Sequence, residues 1–349
     1  MGASLALALS HQGLRVALQR RAPPAGDDVR AYALNERSVQ LLESLKVWPA
    51  LPEDARTAVY DMQVWGDQPG ATLSFSAYEQ GVQALAFIVD AGALDTALDH
   101  ALRFAPHVSL VDEHAPVQAP LLAVAEGRDA ATATQRGAKT AVQAYGQQGV
   151  AARLVSDQPH AGVARQWFRS PDVLALLPFD QPQPQHSLGL VWSVPDERAQ
   201  ALLALPEAEF EAALMEATQG RAGTLRLASP RVAWPLTLAT VEPVCGPGWV
   251  LVGDAAHRVH PLAGQGLNLG LADVACLARV IAQRRPLEGL GDERLLRRYA
   301  RERWAPTRAM GHVTDGLLHL FAHPHPAVRQ VRNTGLRVLD ALAPVKKLL

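Results

Sequence analysis

The sequence predicts an α/β protein in which one open-sheet domain is interrupted by a second, strand-rich domain. Three observations point there. Residues 3–10 are dense apolar helix formers followed by strand-like alternation at 14–18. Near the other end an apolar strand ends in Gly253-Asp254, and a helix opened by glycines follows ten residues later. Between them, from 141 to 194, lie short strand candidates separated by proline-rich turns. Helix and strand alternate at both ends while strands fill the middle, the signature of a domain carrying an insert. The 349 residues leave room for a large core and two closely joined domains.

Each element has a local reason. Gly13 stands where a helix stop belongs, and residues 14–18 alternate around Arg15. Residues 20–28 (RRAPPAGDD) form a polar loop. Asn35 is a helix cap for 35–45, which turns Val39, Leu41, Leu42 and Leu45 inward. The alternation of 58–76 breaks at GDQPG, a hairpin signal. Residues 90–104 and 207–218 read as helices, 229–238 as extended, and everything beyond Gly264 as helical. The expected domains are 1–57, 82–137 and 239–320 for the interrupted one, 58–81 and 138–238 for the insert, and 321–349 for a C-terminal helical segment.

Composition narrows the function classes. Net charge is −1 with 19% charged residues, so there is no electrostatic footprint for nucleic acid. Two cysteines in so long a chain suggest a reducing compartment without a disulfide framework. No apolar run reaches the roughly 18 residues of a membrane span. The apolar N-terminus lacks the positive flank of a signal peptide, so a cytoplasmic protein is expected.

The chemistry is concentrated in residues 249–271, WVLVGDAAHRVHPLAGQGLNLGL. Ligands of open α/β sheets bind beyond the carboxyl ends of strands, which is where Gly253 and Asp254 fall. A carboxylate there accepts hydrogen bonds from a polyol. The glycines of Gly264-Gln-Gly-Leu-Asn268 let backbone N–H groups approach a ligand at a helix N-terminus, whose dipole favours negative charge. A capped surface helix following a buried strand would leave the same pattern.

GDAAHxVHPLAGQGLNLGLxD resembles the second FAD motif of the flavoprotein monooxygenases. The resemblance implies that Asp254 holds the ribityl chain. It also implies that Gly264, Gln265, Gly266, Leu267 and Asn268 meet the isoalloxazine ring, with Pro261 near its face. Arg30-Ala-Tyr-Ala-Leu-Asn35 with Ser38 resembles the segment whose arginine contacts FAD in the ubiquinone-biosynthesis hydroxylases. Trp234-Pro-Leu236, Arg298-Tyr-Ala-Arg301, Thr314-Asp-Gly-Leu317 and the strands around 160–178 are similar to further signatures of that branch. The family fold is a Rossmann-like FAD/NAD(P)-binding domain interrupted by a β-rich substrate domain. Its chemistry is hydroxylation of an aromatic ring, usually a polyprenyl phenol, by O2 and NAD(P)H through a flavin C4a-hydroperoxide.

Several positions depart from the family pattern. Gly2 takes the place of the third glycine of G-x-G-x-x-G, so an N-terminally truncated member is expected, without the first strand and the loop that cradles the pyrophosphate. Gln19 stands where an acid usually bonds the ribose; its carboxamide oxygen still accepts. In the third flavoprotein motif only Gly127 is kept, Asp becoming Glu126 and the Ser and Arg becoming Ala130 and Ala133. No metal is expected: Pro324 and Pro326 interrupt the tract His319, His323, His325, which has no acidic or thiol partner close by. His257 and His260 read as packing or supporting groups. Two other functions fit the same residues: a flavin-free assembly subunit, and a flavin-dependent prenyl-chain reductase. The partners expected are a phenolic small molecule and O2, with contact at the inner membrane face or a biosynthetic complex.

Overall fold

A computed structural model describes residues 1–20, 28–112, 115–128, 131–259, 264–322 and 325–341. The loop 21–27, His260, Pro261, Ala130, His323, Pro324 and everything from Leu342 lie outside the described residues. The fold is mixed α/β, as the sequence predicts.

The chain opens on α1 (Gly2–Ser10), in which Ser4 through Ser10 are all buried. A helix apolar on every side is stable only when enclosed. Gly13, at φ +76°, lets the chain turn back. It enters β1 (Val16–Gln19), which runs parallel to β7 (Val108–Val111). A second parallel pair joins β8 (Leu122–Val124) to β16 (Trp249–Leu251), with β15 (Cys245–Gly246) antiparallel beside it. Gly2 stands between the two pieces: a Cβ there would lie 3.6 Å from Leu18 and 3.7 Å from Ala125. Around them pack α2 (Glu36–Ser44), α4 (Ala91–Arg103), α8 (Gln265–Ala282) and α9 (Glu293–Ala322). One cluster holds Leu7, Leu42, Leu98, Val250, Leu277 and Leu296. Each such fully buried side chain contributes about 1.5–3 kcal/mol. By length and composition α8 could cross a membrane, but 61% of it is buried inside the protein.

A small antiparallel sheet, β2 (Ala31–Leu34), β6 (Ala86–Asp90) and β3 (Arg56–Val59), lies beside this core. Asn35 caps α2 as expected, its side chain accepting from the Ser38 N–H at 2.9 Å.

The large sheet has the order β17 (His257–Arg258), β14 (Val232–Glu242), β9 (Lys139–Ser156), β12 (Ser187–Pro195), β11 (Asp172–Phe179), β10 (Val163–Arg169), β4 (Asp61–Trp65), β5 (Thr72–Ser76), with β13 (Leu225–Leu227) also on β9. The GDQPG signal is the β4–β5 hairpin turn, closed by Gly66 N–H to Ala71 carbonyl at 2.8 Å. Local pattern suggests short strands from 141 on, yet β9 is one strand of 18 residues. Partners on both sides hold it extended through QQG: β12 along its second half and β14 from Lys139 to Ala151. The register of β14 shifts between Pro235 and Thr237, opposite left-handed Gly146 (φ +65°). Such a bulge bends a long strand without ending it.

One face of this sheet is covered by α6 (Asp196–Ala204) and α7 (Glu207–Thr218), burying Trp167, Trp192, Phe210 and Leu214. The other face has two covers. Ala164 and Phe179 pack with Val59 and Ile88 of the small sheet, while Phe168 and Val173 pack with Phe321 and Leu336 of the C-terminal helices. The last of these, α10 (Pro326–Ala341), is pinned by a buried ion pair between Arg332 and Asp67, to which Asn333 adds a hydrogen bond of 2.7 Å. Short α3 (Ala77–Gln80) and α5 (Ala131–Gln135) complete the elements.

Asp67→Ala leaves the fully enclosed Arg332 guanidinium without its counter-charge. Breaking a buried pair from one side costs about 3–5 kcal/mol. The expected outcome is a lower Tm and early proteolytic cutting before α10; an unchanged digestion pattern would contradict this account.

Candidate active site

Trp249, Val250 and Leu251 are all buried, so β16 delivers its C-terminal end firmly to the sheet edge. Gly253 then turns at φ +65°, and a Cβ there would lie 2.7 Å from the Met1 side chain. Glycine is required by both angle and space. Asp254 emerges exposed, and no described residue pairs with its carboxylate.

After the undescribed residues 260–263, Gly264 opens α8 at φ +63° and, as a glycine, brings no side chain to cap it. A Cβ on Gly264 would lie 3.3 Å from Ala33, whereas one on Gly266 would meet nothing within 4 Å. Gln265 and Leu267 are half-buried, and Leu267 packs onto the main core. Asn268 behaves differently. Its Oδ1 accepts from the Asn35 N–H (3.0 Å) and the Ser38 hydroxyl (2.7 Å), and its Nδ2 donates to the Ala33 carbonyl (2.7 Å). A further, longer contact reaches the Gly264 carbonyl at 3.4 Å. That uses the whole capacity of the amide. Asn268 therefore fastens the GQGLN turn to the Arg30–Ser38 segment, joining two motifs that are 233 residues apart.

Arg30 lies at the start of this segment, half-exposed, in a two-pronged ion pair with Asp28 (2.6 and 2.8 Å) and 5.7 Å from the Tyr32 ring. The Asp28 pair raises the Arg30 pKa further. Burial pushes the Tyr32 phenol up to about 12, with Asp28, Asp95 and Asp254 adding to the shift against Arg30. From the large sheet, Arg153 Nη2 donates to the Arg30 carbonyl and to Asp90, 2.8 Å each, with its guanidinium 3.8 Å above Phe179.

The remaining candidates are placed as follows. Gln19, at the exposed end of β1, donates from Nε2 to the Ala115 carbonyl at 2.8 Å, and its carboxamide oxygen is left over. Gly127 turns at φ +72° after β8, while Glu126 accepts from the Thr132 N–H and hydroxyl. The Met1 side chain thus lies against Gly253 and against Gly270 of α8, while Gly264 and Asn268 rest on Ala33 of the Arg30 strand. Gly127 stands apart in its contacts. Pro261 falls outside the described residues.

Sequence reasoning gave no role to the final residue of the FAD-like motif, Asp273. It is completely buried. Its Oδ2 accepts from the Gly253 N–H (2.9 Å) and faces His257 Nε2 (2.7 Å), while its Oδ1 accepts from Arg303 Nε (2.6 Å). Burial favours the neutral acid, yet His257 and Arg303 outweigh it and hold the carboxyl below its ordinary pKa. His257 is the supporting group the sequence suggests. Tyr299, buried, adds a bond to the Leu251 carbonyl at 2.9 Å. An acid alone in an apolar helix was the available signal for Asp273.

A glycine-opened helix start and a carboxylate at a strand end, unpaired among the described residues, suit the ribityl and ring portions of a flavin. Together with the interrupted α/β architecture they define the class, that of the flavin-dependent aromatic monooxygenases. The FAD binding domain family matches residues 103–312, and the chain belongs to this family of FAD-dependent monooxygenases. It is 29% identical to ubiquinone hydroxylase UbiL of Rhodospirillum rubrum, across 100% of this chain and 86% of that one. It is 28% identical to the 3-demethoxyubiquinol 3-hydroxylase of Escherichia coli, across 99% and 94%. In fold it is similar to PqsL, a probable FAD-dependent monooxygenase from Pseudomonas aeruginosa (TM-score 0.75, 20% identity, 96% of this chain and 95% of that one). The p-nitrophenol 4-monooxygenase PnpA of Pseudomonas putida is similar too (TM-score 0.77, 16% identity, 99% and 93%).

Two substitutions test this construction. Asn268→Ala unfastens the turn and is expected to weaken FAD binding about 10- to 100-fold, the equivalent of one or two buried hydrogen bonds; flavin titration reads it, and an unchanged Kd would refute the bracket. Asp273→Asn is expected to lower stability by about 3–5 kcal/mol at neutral pH. Because the folded carboxyl is depressed, its contribution is present above the unfolded value of about 3.9 and fades as pH falls through the folded value. The gap between wild-type and variant urea midpoints should therefore close on acidification, and a gap independent of pH would contradict the assignment.

Proposed function

We propose that this protein hydroxylates the ring of a polyprenyl phenol in ubiquinone biosynthesis, consuming O2 and NAD(P)H. The observation that carries this reading is the exposed Asp254 carboxylate at the end of β16, unpaired among the described residues, beside a glycine-opened turn that Asn268 fastens to β2. The names of the curated relatives, ubiquinone hydroxylases among them, support the substrate class.

The redox chemistry, hydride acceptance from NAD(P)H and activation of O2, would be supplied by FAD when bound. The chain's own residues hold and shield it. Asp254 accepts the ribityl hydroxyls, and the N–H groups of the first turn of α8 stabilise negative charge on the ring's carbonyl edge. Gln19 offers its carboxamide oxygen to the ribose, while Arg30 and the N-terminus of α1 at Gly2 face the phosphates. Gly253 and Gly266 allow close approach, and Gly127 lends its turn to the nicotinamide side. The apolar walls of the small and large sheets keep water from the reacting centre. Residues 1–57, 82–137 and 239–320 are assigned to the flavin domain, 58–81 and 138–238 to the substrate domain, and 321–349 to a C-terminal segment. A polyprenyl substrate resides in lipid, so we place the enzyme in the cytoplasm, in peripheral contact with the inner membrane face or within a biosynthetic complex.

The purified protein with added FAD is expected to be yellow and to consume one O2 per NAD(P)H when a short-chain prenyl phenol is present. A colourless protein that takes up no flavin would instead indicate an assembly subunit. Substrate-dependent NAD(P)H oxidation without O2 uptake would indicate a reductase.

A further inference from the structure

The face of the large sheet turned toward β2 carries one row that belongs to neither of its two covers. Strand register sets Gln166, Ala175, Val191 and Ala151 side by side in that row. Along β10, Gln166 lies between Ala164, which packs against the small sheet, and Phe168, whose ring stacks on Phe321 of α9 at 3.9 Å. Along β11, Ala175 lies likewise between Leu177 and Val173, which belong to those same two covers. The row is the seam between them.

The seam adjoins the flavin seat. Gly264 and Asn268 rest on Ala33. Ala31 and Ala33 in turn pack against the cluster that holds Ala164, and a Cβ on Gly189 would lie 3.3 Å from Ala31 and 3.8 Å from Leu177. Two residues along a strand separate Gly189 and Leu177 from the seam, about 7 Å. Ala151 at one end of the row is enclosed, whereas Ala175 and Val191 remain half-buried although they are mid-strand in a central part of the sheet. Those two side chains offer a short apolar surface for one face of an aromatic ring.

Gln166 is the exception in this apolar row. It is only 7% exposed, and among the described residues its carboxamide has no hydrogen-bond partner. Alternation fixes its direction: Trp167 next to it enters the opposite core, so Gln166 points to the seam. Its carboxamide atoms lack a protein partner without being sealed from solvent, so the tip of the side chain is open to a ligand in the seam. Its two donors and its carbonyl can serve a ring hydroxyl and a neighbouring ring oxygen at once.

We propose that Gln166 is the specificity residue of the hydroxylase, reading the oxygen substituents of the ring as it lies along Ala175 and Val191. This rests on the proposed function, and the test separates the two. Wild type, Gln166→Leu and Ala175→Phe are loaded with FAD. Each is titrated with a short-chain prenyl phenol and with the same compound lacking the ring hydroxyl, following the visible spectrum of the bound flavin. Turnover with both compounds is measured in parallel.

Gln166→Leu should keep its FAD and its Tm, because no internal bond is lost. Its affinity for the phenol should fall at least about 10-fold while affinity for the deoxy compound is unchanged, erasing the discrimination. The KM should rise more than kcat falls. Ala175→Phe should retain FAD and lose both ring ligands. Equal discrimination by wild type and Gln166→Leu would overturn the inference, as would a fall in Tm with discrimination intact, the mark of a structural amide. If wild type binds the phenol with the expected discrimination yet consumes no O2, the hydroxylase reading fails while the role of Gln166 in binding stands.

Discussion

One buried carboxylate organises the region on which the rest depends. Asp273 comes from the middle of an otherwise apolar helix and cannot be solvated, so its charge survives only through its partners. Those partners come from three places: the backbone of Gly253 at the end of β16, His257 on β17, and Arg303 on α9. The carboxylate thereby ties the strand end that presents Asp254 to the middle of α8. Removing the charge would leave a buried guanidinium and a buried imidazole without a common acceptor, so the constraint works in both directions.

A second set of bonds joins the domains at the same place. Asn268 and Arg153 approach the Arg30–Ser38 segment from opposite sides, one from the flavin turn and one from the large sheet. The segment is thus held between the GQGLN turn and the large sheet. Any displacement of the large sheet is transmitted to the backbone that carries Arg30. This explains why a strand with only four residues, β2, sits at the meeting point of the whole molecule.

Much of the fold was legible because local rules apply strongly at those positions. The enclosed helix at 2–10, the Asn35 cap, the GDQPG hairpin and the helix at 207–218 all follow from periodicity, capping and turn chemistry. The extent of β9 was not legible, since a strand continues through QQG only when neighbours on both sides supply its hydrogen bonds. Among site residues, Asp254 and the Gly264–Asn268 turn could be placed from spacing at a strand end and a helix start. The function of the Asn268 side chain could not, because its partners lie more than 200 residues away in sequence.

The sequence by itself determined the class of chemistry, because a strand ending in Gly-Asp, a glycine-opened helix and the residues between them resemble the second FAD motif of the flavoprotein monooxygenases. Those are short-range facts, set by backbone conformation and residue type. Tertiary structure decided what supports the seat and what faces it. Asp273 became an anchor only when α8, α9 and β17 converged. Gln166 became an unpaired amide in a seam only when two separate elements covered the sheet and left one row between them. Burial and pairing are properties of the assembled chain, and no window of sequence contains them.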